Sequence, residues 1–292
     1  MERVKTGVLD VAYEAGGPPG GPVLLLLHGC PDDAQGWREV ASRLHTAGYR
    51  TLAPYWRGCG PTRFLSADTV RDGQAVALTQ DVIDLADALG LERFGVVGHD
   101  WGARVAYTLA ALFPDRVSRI AALALAYQPR GEFTLPSFGQ SRLFWYQWFM
   151  CLDAGPEAVR ADPKGFARIQ WDTWSPPGWF EEATFEATAR SFGNPDWVDI
   201  TLNAYRARWH PEPSDPRYDG LRARLKSVET LSTPTLMIQG GADTCDAPAD
   251  SEGQERFFTG PYQRLVLNGV GHFPAREAPD TVATTLAAYF GQ

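Results

Sequence analysis

The sequence predicts an α/β protein: a mainly parallel sheet covered by helices on both faces, interrupted by a mainly helical insertion. Three observations lead there. Strand-like and helix-like segments alternate over residues 1–127, as repeated βαβ units do. The alternation fails from 128 to 228 and returns after Pro234, which implies a core of residues 1–127 and 229–292 with one inserted lid. Finally, Gly98-His99-Asp100-Trp101-Gly102 joins an apolar run to a helical one, the strand, sharp turn and helix of a nucleophile elbow.

In chain order, Val8 to Glu14 predicts an edge strand leading into the Gly- and Pro-rich turn 16–22, and Val23 to Leu27 a buried strand. Trp37 to Leu44 has helical spacing, Arg50 to Ala53 is a short strand, and Leu78 to Leu89 is an amphipathic helix ended near Gly90. Phe94 to Val97 feeds the elbow, Ala103 to Phe113 is a helix stopped by Pro114, and Ile120 to Ala126 is another apolar strand. Within the insertion, Phe180 to Phe192 and Val198 to Trp209 are helical, and seven of the ten tryptophans lie there. Most of these pack the insertion's own small core, yet so aromatic a segment also makes an apolar wall over a site on the main domain. Thr235 to Gln239 and Arg264 to Leu267 resume the strands, and Asp280 to Phe290 is the last helix.

A chain of 292 residues that is 44% hydrophobic buries a sizeable core. Its net charge of −8 argues against nucleic acid or an anionic membrane as partner. Cys30, Cys59, Cys151 and Cys245 lie far apart and form no ligand pattern with the five histidines. Free thiols, no metal and no cofactor are therefore expected. No early apolar run has the length of a leader or a membrane span, so a cytoplasmic monomer or homodimer is expected.

The elbow carries an aspartate where such turns usually carry serine. A carboxylate is already ionised at neutral pH and can displace a leaving group at saturated carbon, which implies an alkyl ester of Asp100. Gly-x-Asp-x-Gly is a common turn by itself; the strand before it and the helix after it give this one its meaning. Releasing an ester requires a base to activate water. His272, in Asn268-Gly269-Val270-Gly271-His272-Phe273-Pro274 between the last strand and the last helix, is the best placed. His28 has a structural position, His99 lies inside the elbow, and His45 and His210 have no supporting motif.

Asp243, after Gly240-Gly241-Ala242 at the carboxyl end of a strand, is positioned to orient the imidazole, with Asp246 as the alternative. The order Asp100, Asp243, His272 is nucleophile, acid, base. Hydrolysis of the ester develops charge on the Asp100 carbonyl oxygen, so two backbone N–H groups should face it. Those of Trp101 and of Cys30, in His28-Gly29-Cys30-Pro31, are the candidates.

These residues resemble the epoxide hydrolase group of the α/β-hydrolase fold, with haloalkane and haloacetate dehalogenases as near relatives. The resemblance covers essentially the whole chain and rests on His28 to Pro31, the aspartate elbow, the Gly240 to Asp243 turn and Gly271-His272-Phe273. Opening an epoxide leaves a tethered alkoxide that needs a donor, and the resemblance implies two lid tyrosines for it. Tyr146, followed by Gln147 within Leu143 to Phe149, matches the first; Tyr205, followed by Arg206 within Leu202 to Ala207, matches the second. Substrate contacts are expected from Trp101, Trp145, Gln147, Trp148 and Phe273. Tyr55 departs from the aspartate found there in many relatives and marks a subgroup.

The expected reaction is addition of water to a small apolar epoxide, giving a vicinal diol without a cofactor. The rivals are dehalogenation of a haloalkane or haloacid by the same Asp100, and a ligand-binding protein without turnover. The tyrosines favour the epoxide, because halide release needs halide-binding N–H donors instead. A complete nucleophile, acid, base and oxyanion set disfavours mere binding.

Overall fold

A computed structural model describes residues 1–292. The nine strands are β1 Glu2–Lys5, β2 Leu9–Gly16, β3 Val23–Leu27, β4 Arg50–Pro54, β5 Arg63–Phe64, β6 Phe94–His99, β7 Val117–Leu123, β8 Thr235–Gly240 and β9 Tyr262–Leu267. They form one sheet in the order β1-β2-β4-β3-β6-β7-β8-β9, with β5 also on β2. From β4 to β9 every pairing is parallel, while the pairings of β2 are antiparallel. Every residue of β6 and β8 is buried, which explains why they are continuous apolar runs rather than alternating ones.

The segment expected at the edge is an inner strand: β2 lies between β1 and β4, and β1 is the edge. Glu-Arg-Val-Lys has one apolar side chain and is largely exposed, so it carries no burial pattern. Its place is set by backbone pairing with β2.

The core helices are α1 Arg38–Thr46, α2 Ala75–Ala88 and α3 Trp101–Leu112, with α11 Pro274–Glu277 and α12 Pro279–Phe290 after β9. They flank the sheet in two groups, α1 against α12 and α2 against α3. Between β7 and β8 the chain forms no strand. It is built of α4 Phe138–Leu143, α5 Trp145–Cys151, α6 Ala154–Ala161, α7 Pro163–Thr173, α8 Glu182–Ala189, α9 Trp197–Arg206 and α10 Asp219–Leu225.

Trp171, Trp174, Phe185 and Tyr205 from these helices and loops belong to the same apolar cluster as the strands, so burial couples them firmly to the sheet. Leu225 of α10 instead packs with Val76 and Leu112 of α2 and α3.

Candidate active site

Asp100 stands between β6 and α3 with φ 51 and ψ −115. That conformation costs a non-glycine residue ~1–3 kcal/mol and persists only where the surroundings impose it. Here both sides do. A Cβ on Gly98 would lie 2.1 Å from the Gly102 carbonyl oxygen, and one on Gly102 would lie 2.0 Å from that of Leu27. Only glycines let β6, the turn and α3 come this close. The loop after β3 makes a similar approach: a Cβ on Gly29 would stand 2.5 Å from Asp100 Cβ.

The turn places the Asp100 carboxylate between two groups. The Cys30 N–H donates to Oδ1 at 3.0 Å. On the other side, His272 Nε2 stands 3.6 Å from Oδ2 and is buried without a hydrogen-bond partner. The Trp101 N–H does not reach the carboxylate; as the first N–H of α3 it has no partner within the helix.

His272 Nδ1 bonds Asp243 Oδ2 at 2.8 Å, with both side chains fully buried. The Asp243 Oδ1 in turn accepts the N–H groups of Cys245 and Asp246 at 2.7 and 3.0 Å. Asp243 is thus the imidazole's partner. Asp246, its alternative, makes no bond to the ring, and burial followed by the charge of Asp243 pushes its carboxyl up to about 6.

Electrostatics separates the two ends of this relay. Burial alone would lower the His272 imidazole, but the Asp243 and Asp100 carboxylates outweigh it and hold the ring well above the usual histidine value. Burial works against the Asp100 carboxylate too, and the close approach of His272, helped by the Cys30 N–H, overcomes it, keeping Asp100 below the usual range. Resting Asp100 and His272 are therefore an ion pair at neutral pH.

Tyr146 of α5 and Tyr205 of α9 meet beside this pair. The rings of Tyr146 and Tyr205 are in edge contact at 5.3 Å; Tyr205 also meets Trp101 edge-on at 5.4 Å, and Tyr146 packs on Trp174, which in turn lies against His272. The Tyr205 hydroxyl donates to the Cys30 carbonyl at 3.3 Å. That of Tyr146 accepts from Gln147 Nε2 at 2.9 Å and lies 3.7 Å from the Cys245 sulfur, a weak partner that its proton can leave for a stronger acceptor. Burial first, with nearby anions and thiols, raises both phenols well above 10, so they are protonated donors.

Of the other expected substrate contacts, only Trp101 lies in this chamber. Gln147 is fully buried and fully used, donating to Tyr146 and accepting from Trp209 Nε1 at 3.1 Å. It orients a tyrosine rather than meeting a ligand. Trp145 is 40% exposed, and Trp148 packs at a 47° tilt on Trp209 at 4.4 Å and donates from Nε1 to the Ser141 carbonyl. Phe273 stacks on Trp179 at 4.5 Å and 9°, behind the imidazole.

Two supports are not visible in the catalytic motifs. Glu277 on α11 accepts the N–H groups of Gly271 and Phe273 at 2.7 and 2.9 Å and the Ser175 hydroxyl at 2.7 Å. Ser175 Oγ then accepts the His272 N–H at 2.8 Å. The signal was a carboxylate in the first turn of a Pro-initiated helix, able to reach back to free N–H groups as in a capping box. The second support is Arg276, whose Nε reaches both Asp32 oxygens at 3.2 and 3.1 Å, tying the base loop to the Cys30 loop.

All four cysteines are free. Cys245, Asp246 and His272 bring donor atoms within 4.8 Å of one another. Burial, then the charges of Asp246 and Asp243, keeps the Cys245 thiol protonated, and His272 Nδ1 is taken by Asp243, so this trio is a poor metal cage. Burial likewise pushes the Cys30 thiol up.

The sequence profile of the alpha/beta hydrolase fold matches residues 22–279. This chain belongs to the α/β-hydrolase fold family. Within it, the hydrolase resembles enzymes named for epoxides. It is 37% identical to an epoxide hydrolase of Caballeronia sordidicola, over 92% of this chain and 87% of that one. It is 29% identical to epoxide hydrolase A of Mycobacterium tuberculosis, over 98% and 95% of the two chains. The crystal structure of a Klebsiella pneumoniae protein, provisionally assigned as an epoxide hydrolase, superposes with a TM-score of 0.91 at 36% identity, covering 98% of this chain and 96% of that one. No helix of the hydrolase is long and apolar enough to cross a membrane.

Proposed function

We propose that this hydrolase adds water to an epoxide through an ester of Asp100, with residues 128–228 as the lid. The observation that carries the reading is the pair of buried, protonated phenols, Tyr146 and Tyr205, in edge contact beside an ionised Asp100. Oδ1 of Asp100 is held by the Cys30 N–H, so Oδ2 attacks the epoxide carbon. The carbon–oxygen bond breaks, and its electron pair stays on the epoxide oxygen, which the phenols hydrogen-bond and protonate. A halide leaves as a stable anion that needs no proton, so the demand for a protonating phenol is the epoxide's.

Ester formation then changes the base. Neutralising Asp100 removes one of the two charges that hold the imidazole proton, so His272 gives up its Nε2 proton to reprotonate the phenolate left by epoxide opening and is the neutral base at the stage when water must be activated. Nε2 takes a proton from water, hydroxide attacks Asp100 Cγ, and the oxyanion forms on Oδ1 against the Cys30 N–H, joined by the Trp101 N–H. Collapse releases the diol and restores the carboxylate. Asp243 holds the ring tautomer and stabilises the imidazolium.

The test is the His272→Gln variant exposed to a panel of epoxides and alkyl halides. Intact-protein mass spectrometry should show one epoxide mass added and retained, absent when Asp100→Asn is also present. An adduct from halides alone, or halide release that survives Tyr146→Phe with Tyr205→Phe, would overturn the epoxide reading.

A further inference from the structure

A cavity of about 610 Å³ does not open on Asp100 but lies beyond Trp101, between α3 and the segment after α9. Its charge is opposite to that of the chain: Arg104, Arg130, Arg208, Arg222 and Lys226 line it against the single acid Glu132. Two of these cations have visible duties, while Lys226 has no carboxylate partner. Arg130 pairs with Glu229, and Arg222 with Asp72 and Asp219; Arg224 and its neighbours end α10, where Lys226 follows.

Arg104 and Arg208 have no acid at all. Arg104 is only 8% exposed and bonds through Nη1 to the neutral Gln128 Oε1. Its Nε is buried and unpartnered. Arg208 is held by ring faces, with Cζ 4.1 Å from the centre of Phe133 and 5.3 Å from those of Phe144 and Trp209, and its Nε is also unpartnered. Phe133 has the Arg104 guanidinium over it as well, at 4.5 Å, so one ring carries both cations. Burial first, then the charge of Arg208, drags the Arg104 guanidinium down to about 9. An unpaired buried cation and two buried N–H groups without acceptors are costly unless something anionic completes them.

We infer that this cavity holds a carboxylate between Arg104 and Arg208, and that the substrate is an epoxide bearing that carboxylate. Arg104 and Arg208 both line the cavity and neither is in an ion pair, so a carboxylate there meets two uncommitted guanidinium charges. Position connects the cavity to the chemistry. Arg104 is four residues after Asp100 on α3, about one helical turn or ~5.4 Å along the axis. Arg208 follows Tyr205 by three residues. Trp101 lines the cavity, lies 5.2 Å from the Arg104 Cζ and meets Tyr205 edge-on, so this indole separates the arginines from Asp100, and a substrate held at the arginines by its charged end reaches Asp100 with its other end once the ring swings aside. The apolar substrate expected from the aromatic lid becomes an amphipathic one. The substrate class rests on the epoxide reading above, but the anion site does not.

The test separates the two. Titration calorimetry of the full-length protein with hexanoate and with hexanamide should give at least tenfold tighter binding of hexanoate, a preference that Arg208→Gln abolishes and Arg208→Lys partly keeps. Equal affinity for the two probes, or a preference that survives Arg208→Gln, overturns the anion site. A terminal epoxide acid should then exceed its methyl ester at least tenfold in kcat/KM, mainly through KM, with the ratio falling to about one in Arg208→Gln. Equal turnover of acid and ester overturns the substrate class even if hexanoate binds. If neither these nor any neutral epoxide alkylates Asp100 in the His272→Gln protein, the epoxide reading has failed instead, and hexanoate binding alone decides the anion site.

Discussion

On the sheet side of the chamber, Asp100, Cys30, Asp243 and His272 sit in turns at strand ends, each held by backbone N–H groups or by glycines that permit close approach. On the lid side, Tyr146 and Tyr205 sit inside helices and are placed by ring contacts and by Gln147. A turn constrains its neighbours locally, so its residue types reveal it. A helix face is chosen by what it packs against, and that partner lies far away in sequence. The sheet half should therefore be brittle and the lid half graded in response to substitution.

The largest expected effect is on the sheet side. Asp100→Asn should reduce kcat about ten-thousand-fold or more, as loss of a nucleophile does, while stopped-flow fluorescence still reports ligand entry beside Trp101. Next come the lid phenols. Tyr146→Phe and Tyr205→Phe should each cost about 10²- to 10³-fold in the rate of ester formation, the usual loss for one donor to a developing oxyanion. Loss far below that range for both would mean that the lid side contributes only shape.

Gly29→Ala probes brittleness directly. The new methyl carbon would sit 2.5 Å from Asp100 Cβ, so a loss of about 1–3 kcal/mol in thermal or denaturant unfolding is expected, with lower kcat in the folded fraction. Unchanged stability and rate would show that the turn yields more than its contacts imply.

The pH response sharpens the comparison further. Asp100 is held below the usual carboxylate range, so it loses its charge only as pH falls through that lowered value, and ester formation should persist below the ordinary aspartate midpoint of ~3.9. Ester hydrolysis needs neutral His272, which appears as pH rises through its own midpoint. Because the ester removes one of the two stabilising charges, that midpoint should lie below the imidazole titration seen by NMR in the resting protein. Coincident midpoints would remove Asp100 from the account of the base. The smallest effect belongs to Trp148→Phe: kcat/KM should stay within about twofold, since the ring packs on Trp209 and donates to the Ser141 carbonyl.

The same contrast explains what was legible in the sequence. The buried parallel strands announced themselves as the apolar runs Val23–Leu27, Phe94–Val97 and Thr235–Gln239, which lie within β3, β6 and β8, because both faces are covered. The elbow and the base loop did so through glycines. Trp145, Trp148 and Gln147 share a seven-residue helix with Tyr146, and nothing in that run says which side faces Asp100; the answer comes from Trp174, Tyr205 and Trp209. Likewise β1 is held by pairing alone, and the arginine cavity is assembled from α3 and the residues after α9, which only the fold brings together.

The two thiols nearest the chemistry, Cys30 and Cys245, also bear on durability. Epoxides alkylate thiolates, and an enzyme that concentrates an epoxide beside two cysteines risks consuming itself. Burial and nearby carboxylates keep both sulfurs in the protonated, poorly nucleophilic form, so on the proposed mechanism the reagent meets one competent nucleophile, the one whose adduct can be undone.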